Sequence, residues 1–307
     1  VSEPRWTISI DAGGTFTDAI ARRTDGAIRE AKVASTPDDP SRGLANAVNA
    51  LAELGVIRSS VSLVCHGTTV ATNATLTGNL ARVALVTTRG FRDVLGYRQS
   101  NRPDVYSLTP SRPNELVQRG LRFEITERLD SAGRVITPLA EDELAEIIER
   151  IRDERPEAIA VSFLFSYLND EHEHRVGEAL RAAFPDIPVT LSSSVAREFR
   201  EYPRTATAGI NAALRPLVER YLNKAGGALA ASGIDAPFVV MQSNGGSVPA
   251  DRAGVEAHRL VLSAPAGGVA GLVAAYVLGA RRGYDPRSEV IPRSGTDLVE
   301  RDRLVCR

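Results

Sequence analysis

Two carboxylates, two glycines and two threonines crowd into one short stretch near the amino terminus, Asp11-Ala-Gly13-Gly14-Thr15-Phe-Thr17-Asp18. Adjacent glycines let main-chain N–H groups converge on an anion with no Cβ in the way. Thr15 and Thr17 add hydroxyl donors, and Asp11 and Asp18 can hold a magnesium ion directly or through water. Carboxylates beside a phosphate make sense only with such a cation, because like charges repel. Upstream, Ile8 and Ile10 alternate with Thr7 and Ser9, the period of a strand. Phe16, Asp18 and Ile20 resume the alternation, so the spacing predicts a β-hairpin with a glycine tip. No Gly-Lys-Ser/Thr follows and no helix opens, which excludes a Walker loop and a dinucleotide-binding turn. On the residues alone, an ordinary hairpin with a polar tip remains the alternative.

A second polar stretch, His66-Gly67-Thr68-Thr69-Val-Ala-Thr72-Asn73, follows a short apolar strand at Val61 to Cys65 and opens a helix. The free N–H groups of a helix start, with Gly67 and the threonines, suit an anion or a substrate carbonyl. A polar cap with a hydrogen-bonded His66 explains the same residues. Arg92, Arg98 and Arg102 can face an acidic substrate, though such charges are more often solvated or paired. His172 and His174 lie two apart on a predicted helix, which puts them on different faces, so they are expected to be surface histidines rather than a chelating pair. In Glu198-Phe-Arg200-Glu201-Tyr202-Pro203-Arg204-Thr205 the arginines and glutamates are expected to pair with one another. No nucleophile–base–acid constellation stands out.

The 307 residues suffice for one large or two ordinary domains. Net charge is −1, with no basic face or tail, which disfavours nucleic acid. Two cysteines, Cys65 and Cys306, allow no disulfide framework and fit a reducing cytoplasm. No secretory signal pattern and no bilayer-length apolar run are visible, so no membrane role is expected.

The elements that must position these residues alternate between strand and helix. Ser41 to Leu54 reads as a helix ended by Gly55, and Arg82 to Thr87 as a buried strand. Arg122 to Leu129 reads as a strand, and Thr137-Pro138 as a helix start with the stripe Leu144, Ile147, Ile148 and Ile151. Ala158 to Phe165 reads as an apolar strand, as in the centre of a sheet covered on both faces. Pro188 to Leu191 and Phe238 to Met241 are further strands, and Thr205 to about Ala231 is a long helix. Ser263-Ala264-Pro265 through Gly271 reads as a helix start with a face of small residues, suited to close packing or to nucleotide contact. The junction before Thr205 marks a domain boundary.

Six stretches in this order resemble the hydantoinase A / 5-oxoprolinase / acetone carboxylase family. They are Asp11 to Asp18, His66 to Asn73, Val86-Thr-Thr-Arg-Gly-Phe-Arg-Asp93, Phe199-Arg-Glu-Tyr202, Met241-Gln-Ser-Asn-Gly-Gly246 and Ser263-Ala-Pro265, and the likeness runs from about Ile8 to about Tyr284. The resemblance implies an α/β protein with the actin-like ATPase (ribonuclease H-like) fold, one lobe complete and the second incomplete. It implies residues 1–200 as the hydantoinase/oxoprolinase N-terminal lobe, 201–285 as the start of a hydantoinase A domain, and 286–307 as a divergent tail. It implies ATP with Mg2+, and chemistry on a cyclic amide or carbonyl. Asp11, Gly13, Gly14, Thr15, Thr17 and Asp18 match the family's first phosphate motif. Together with His66, Gly67, Thr68 and Thr69 they are expected to bind the cofactor, with Asp11 and Asp18 at the metal.

The family continues past a Gly-Tyr-Asp turn into a second hairpin of Asp-Met-Gly-Gly-Thr type. Here Gly283-Tyr-Asp285 is followed by a stretch in which only Gly295-Thr296-Asp297 is similar to it, and the family's Ser-Gly-Pro is Ser263-Ala264-Pro265. The expectation is a C-terminally truncated hydrolase of hydantoins or 5-oxoproline, or one piece of a larger enzyme, with a hydantoinase B-type second subunit as partner. Isolated turnover is expected to be very weak. The alternative is a non-catalytic nucleotide-binding fragment or regulatory subunit. A sugar or acyl kinase fits less well, because the His66 and Arg200 stretches match the hydantoinase set.

Overall fold

A computed structural model describes residues 3–36, 38–99, 106, 108 and 115–263. The chain begins with β1 (Trp6–Ala12), β2 (Phe16–Arg23), β3 (Ile28–Ala34), α1 (Pro40–Glu53), β4 (Val61–Thr68) and α2 (Val70–Thr77). Next come β5 (Val83–Thr88), α3 (Val94–Tyr97), β6 (Arg122–Ile125), β7 (Arg128–Leu129), β8 (Val135–Thr137), α4 (Glu141–Glu154) and β9 (Ala158–Ser162). It continues through α5 (Glu171–Ala183), β10 (Val189–Leu191), α6 (Ser192–Val195), α7 (Glu201–Ala231), β11 (Phe238–Met241), β12 (Ser247–Pro249) and α8 (Ala250–Val255). These elements form two compact units. Among the described residues, one combines those up to Gly78 with those from Val218 to Ser263, and the other lies within Asn79–Leu217.

The first unit holds a six-stranded sheet in the order β12-β11-β4-β1-β2-β3. β1, β4 and β11 run parallel, while β2, β3 and β12 are antiparallel to their neighbours. The predicted hairpin is present as β1 and β2. Trp6, Ile8 and Ile10 point into the core, where Leu44, Val48 and Leu51 of α1 meet them. Glycine ends α1 as expected, since Gly55 adopts φ 92°. The face of β2 that goes inside is not the one carrying Phe16 and Ile20. Thr17, Ala19 and Ala21 are buried, while Phe16 is 47% exposed. Small residues suit a strand lying under a close helix, and Phe16 instead receives Lys32 over its ring.

The second unit is built on an all-parallel sheet, β10-β9-β5-β6. Every residue of β5 and β9 is buried, as predicted for strands covered twice. Leu144, Ile147 and Ile151 of α4 with Val176 and Leu180 of α5 cover one face. Ala212 and Ala213 of α7 pack with Val83, Leu85 and Ala160 on the other. Several element boundaries differ from expectation, and β9 stops at Ser162, three residues before Phe165. α4 starts at Glu141, because Val135–Thr137 pairs with β7. The predicted strand 122–129 breaks into β6 and β7. α7 starts at Glu201, four residues early; Pro203 is tolerated because the first-turn N–H groups have no partner within the helix.

The two histidines of α5 separate. His174 is exposed as predicted, but His172 is 4% exposed, its Nδ1 2.9 Å from Glu127 Oε2. A buried carboxylate partner stabilises an imidazole that would otherwise belong outside. Arg102, the small-residue stretch beyond Ser263, the Gly283 turn, the Gly295-Thr296-Asp297 stretch, Cys306 and the 286–307 tail lie outside the described residues. No helix among the described residues is long and apolar enough to cross a membrane.

Candidate nucleotide site

The carboxyl ends of β1, β4 and β11 lie side by side, and the sequence-predicted site residues of the first unit gather there. Strand register sets a row across one face of the sheet. Gly67 of β4 is level with Asp11 of β1, Asp11 with Asp18 of β2, and Asp18 with Lys32 of β3. Two carboxylates directly opposite each other on neighbouring strands repel. Lys32 relieves one side, its Nζ 2.7 Å from Asp18 Oδ1. Gly67 leaves the Asp11 carboxylate its room, since a Cβ there would stand 3.0 Å from Asp11 Oδ1.

The turn between the strands is closed by Gly13 N–H donating to Phe16 O at 3.1 Å. Neither Gly13 nor Gly14 uses a left-handed φ. Gly13 is needed for space, a Cβ there falling 3.0 Å from Phe16 O, whereas Gly14 has nothing within 4 Å of its Cβ position. Gly14 and Thr15 are exposed. Thr17 is different from what its type suggested. Its side chain is buried, and its hydroxyl lies 3.0 Å from Ser35 Oγ, which donates to Gly13 O at 2.8 Å. Ser35 has one hydroxyl hydrogen and spends it on a carbonyl, so Thr17 donates to Ser35. Thr17 therefore fixes the turn from beneath and does not face a ligand.

His66 also faces inward. It is fully buried, with Nδ1 3.1 Å from Ile10 O and Nε2 2.6 Å from the Tyr221 hydroxyl of α7. A carbonyl only accepts, so Nδ1 carries the proton and Nε2 accepts from Tyr221. Burial holds the imidazole down to about 4 and pushes the phenol up to about 12, so both stay neutral. Tyr221 also bonds the Thr68 side chain, and Thr68 Oγ1 accepts Val70 N–H at the start of α2. This chain of hydrogen bonds runs from α2 to the peptide just before Asp11. It ties His66 and Thr68 into the scaffold behind the strand ends. Thr69, half-buried, donates to Ala12 O at 3.3 Å and closes the end of β1.

Five contributors were not legible as site residues. Tyr221 sits mid-helix with no local signal. Lys32 and Ser35 reach the hairpin only through β3 and the loop after it. Gln242 follows β11, which pairs with β4 with Val240 level with His66, and its buried side-chain Nε2 has no hydrogen-bond partner among the described residues. Ser263 donates to Thr68 O at 3.2 Å. The motifs containing Gln242 and Ser263 were visible, and their convergence on β4 was not.

Residues 7–184 match the family model described as the hydantoinase/oxoprolinase N-terminal region, and residues 204–283 match that described as hydantoinase/oxoprolinase. The chain belongs to the hydantoinase/oxoprolinase family. It is 34% identical to the caprolactamase subunit alpha of Pseudomonas jessenii over 256 residues, 81% of this chain and 37% of that one. The crystal structure of that ATP-dependent caprolactamase superposes with a TM-score of 0.79 at 35% identity, covering 89% of this chain and 41% of that one. A nucleotide-free acetone carboxylase, from a study of ATP-dependent acetone carboxylation, gives 0.79 at 27% identity, covering 91% and 41%. The 5-oxoprolinase 1 of Arabidopsis thaliana is 31% identical over 312 residues, 88% of this chain and 24% of that one. The family member described here thus has the actin-like ATPase fold. It spans less than half the length of these relatives.

Proposed function

We propose that this chain supplies the first phosphate-binding element of an ATP-dependent enzyme that opens cyclic amides of the hydantoin or 5-oxoproline type, as part of a larger assembly with a hydantoinase B-type subunit. The supporting observation is an open glycine turn beside a facing pair of carboxylates, in a chain related to an ATP-dependent caprolactamase. The residues fit the group. Gly14 leaves its approach clear, and Asp11 and Asp18 stand level on neighbouring strands, where two carboxylates can share a divalent cation. No group of three or more His, Cys, Asp or Glu side chains among the described residues is arranged for a metal. Magnesium keeps several waters and takes one or two carboxylates with phosphate oxygens, a set that Asp11 and Asp18 can supply with a bound phosphate.

In this reading the Gly13–Thr15 main chain and the Thr15 hydroxyl hold the phosphates, with Asp11 and Asp18 at the cation. Gly67 keeps the Asp11 carboxylate in place, and His66, Thr68, Thr69 and Thr17 hold the strand ends from behind. ATP, when bound, supplies the phosphoryl group that activates an amide oxygen, and electrostatic clamping is what such a turn contributes.

Calorimetry with magnesium-ATP tests this. Gly14→Ala meets no atom in the protein and needs no unusual φ, so its melting temperature should match that of the wild type. Its affinity should fall by about tenfold or more, roughly 1.4 kcal/mol, because the new methyl stands where phosphate oxygens approach. Asp11→Ala should lose the magnesium dependence. Equal binding by wild type and both variants would remove the hairpin from the reading.

A further inference from the structure

We propose that the second unit carries a separate subsite for a small carboxylate, built around Arg204 at the carboxyl ends of β5 and β9. In open α/β sheets this edge is where ligands bind. A depression there is lined by Thr87, Ser162, Arg204, Thr205 and Glu201, with Phe91 on the apolar side. The inference is independent of the nucleotide reading, which concerns the first unit alone.

Arg204 is 1% exposed. Its Nη1 donates to Glu198 O at 3.0 Å and its Nη2 to Phe163 O at 2.9 Å. The guanidinium lies over the Tyr167 ring at 5.3 Å. Its Nε has no partner, and no carboxylate lies within ion-pair distance, among the described residues. The sequence suggested that the arginines and glutamates of this junction pair with one another; Arg204 takes main-chain carbonyls instead. Buried charges are ordinarily paired. Burial lowers the Arg204 pKa despite the opposing pull of Glu173 and Glu201, the mark of a cation short of counter-charge. Glu173 does not supply that charge at close range, being committed to Phe163 N–H, Ser192 Oγ and Ser193 N–H.

Two further features favour a negative oxygen. Arg204 lies in the first turn of the 31-residue α7 and Thr205 opens the second, and the free N–H groups and dipole of that helix end favour an anion. Ser162 and Thr205 hydroxyls bond each other at 2.8 Å, which uses one of their two hydrogens and leaves the other to donate. The interior has room for a single oxygen-sized group and opens outward. One carboxylate oxygen fits that space with the rest of the molecule outside. A phosphate dianion is disfavoured by its bulk and by Glu201 at the rim.

Saturation-transfer NMR on the whole chain, at constant ionic strength, tests the subsite with acetate as probe and acetamide as its neutral isostere. Acetate should saturate in the millimolar range with acetamide silent. The paired change Ser162→Ala with Thr205→Val keeps the guanidinium in place and should weaken acetate about tenfold. Glu201→Gln should strengthen it about threefold by removing like charge. Arg204→Gln should abolish it; if that variant fails to fold, the hydroxyl pair decides. Equal signals from acetate and acetamide, no saturation, or acetate binding unmoved by the Ser162/Thr205 change would each overturn the proposal.

Discussion

Glu173→Ala is expected to destabilise the second unit by about 3–5 kcal/mol, the range for stripping the partner from buried hydrogen-bonded groups. Glu173 is fully buried beneath the same strand ends. Its Oε1 accepts Phe163 N–H at 2.9 Å and the Ser192 hydroxyl at 2.6 Å, and its Oε2 accepts Ser193 N–H at 2.9 Å. Alanine leaves two main-chain donors with no acceptor and no water. Glu173→Gln should cost less, about 2 kcal/mol, since its amide oxygen serves one set of donors while its NH2 meets the other. Trp6, the single tryptophan, belongs to the first unit, so its fluorescence is blind to this change. Amide hydrogen exchange at Phe163 and Ser193 is the appropriate measurement. A loss below 1 kcal/mol would mean that the three bonds are individually dispensable.

The second large effect is a pH dependence of the first unit. An unfolded chain protonates His66 near its ordinary value of 6.5, and the folded unit resists until about 4, because burial penalises the imidazolium. Between those values the unfolded state binds more protons, so stability falls as pH falls through this window. Above 6.5 the contribution is constant. A shift of this size corresponds to about 3 kcal/mol between pH 7.5 and 4. Urea titrations followed by Trp6 fluorescence isolate it by comparison with His66→Gln, which carries no titrating ring. Carboxylates titrate alike in both proteins and cancel. The wild type should lose about 3 kcal/mol more than the variant across the range. Superimposable pH profiles would show that the buried ring gains its proton freely.

Much of this was readable from residue order. The hairpin followed from Ile8 and Ile10 and the glycines after them, and the doubly covered β9 followed from the apolar run Ala158 to Val161. What failed did so for lack of local information. The buried face of β2 was set by the helix lying on it, which favours Thr17, Ala19 and Ala21 over the more hydrophobic Phe16 and Ile20. In Glu171-His-Glu-His174 the histidines drew the reading, while the buried partner-rich residue is the glutamate between them. Nothing near Glu173 in sequence announces that Phe163 and Ser193 will point at it. His66 was recognised as special, but its inward orientation depends on Tyr221, and the placement of Gln242 beside the end of β4 depends on β11 joining β4.

That last pairing bears on how the protein is made. Phe238 hydrogen-bonds beside Val64 in the finished sheet, yet a ribosome releases Val64 long before Phe238 exists. All four strands of the other sheet emerge in the interval. Synthesis at ~5–20 residues per second gives that intervening region time to settle while β4 waits with an open edge. A nascent chain stalled ahead of Phe238 should therefore be a target for chaperones, since an unpaired parallel strand is an invitation to wrong partners.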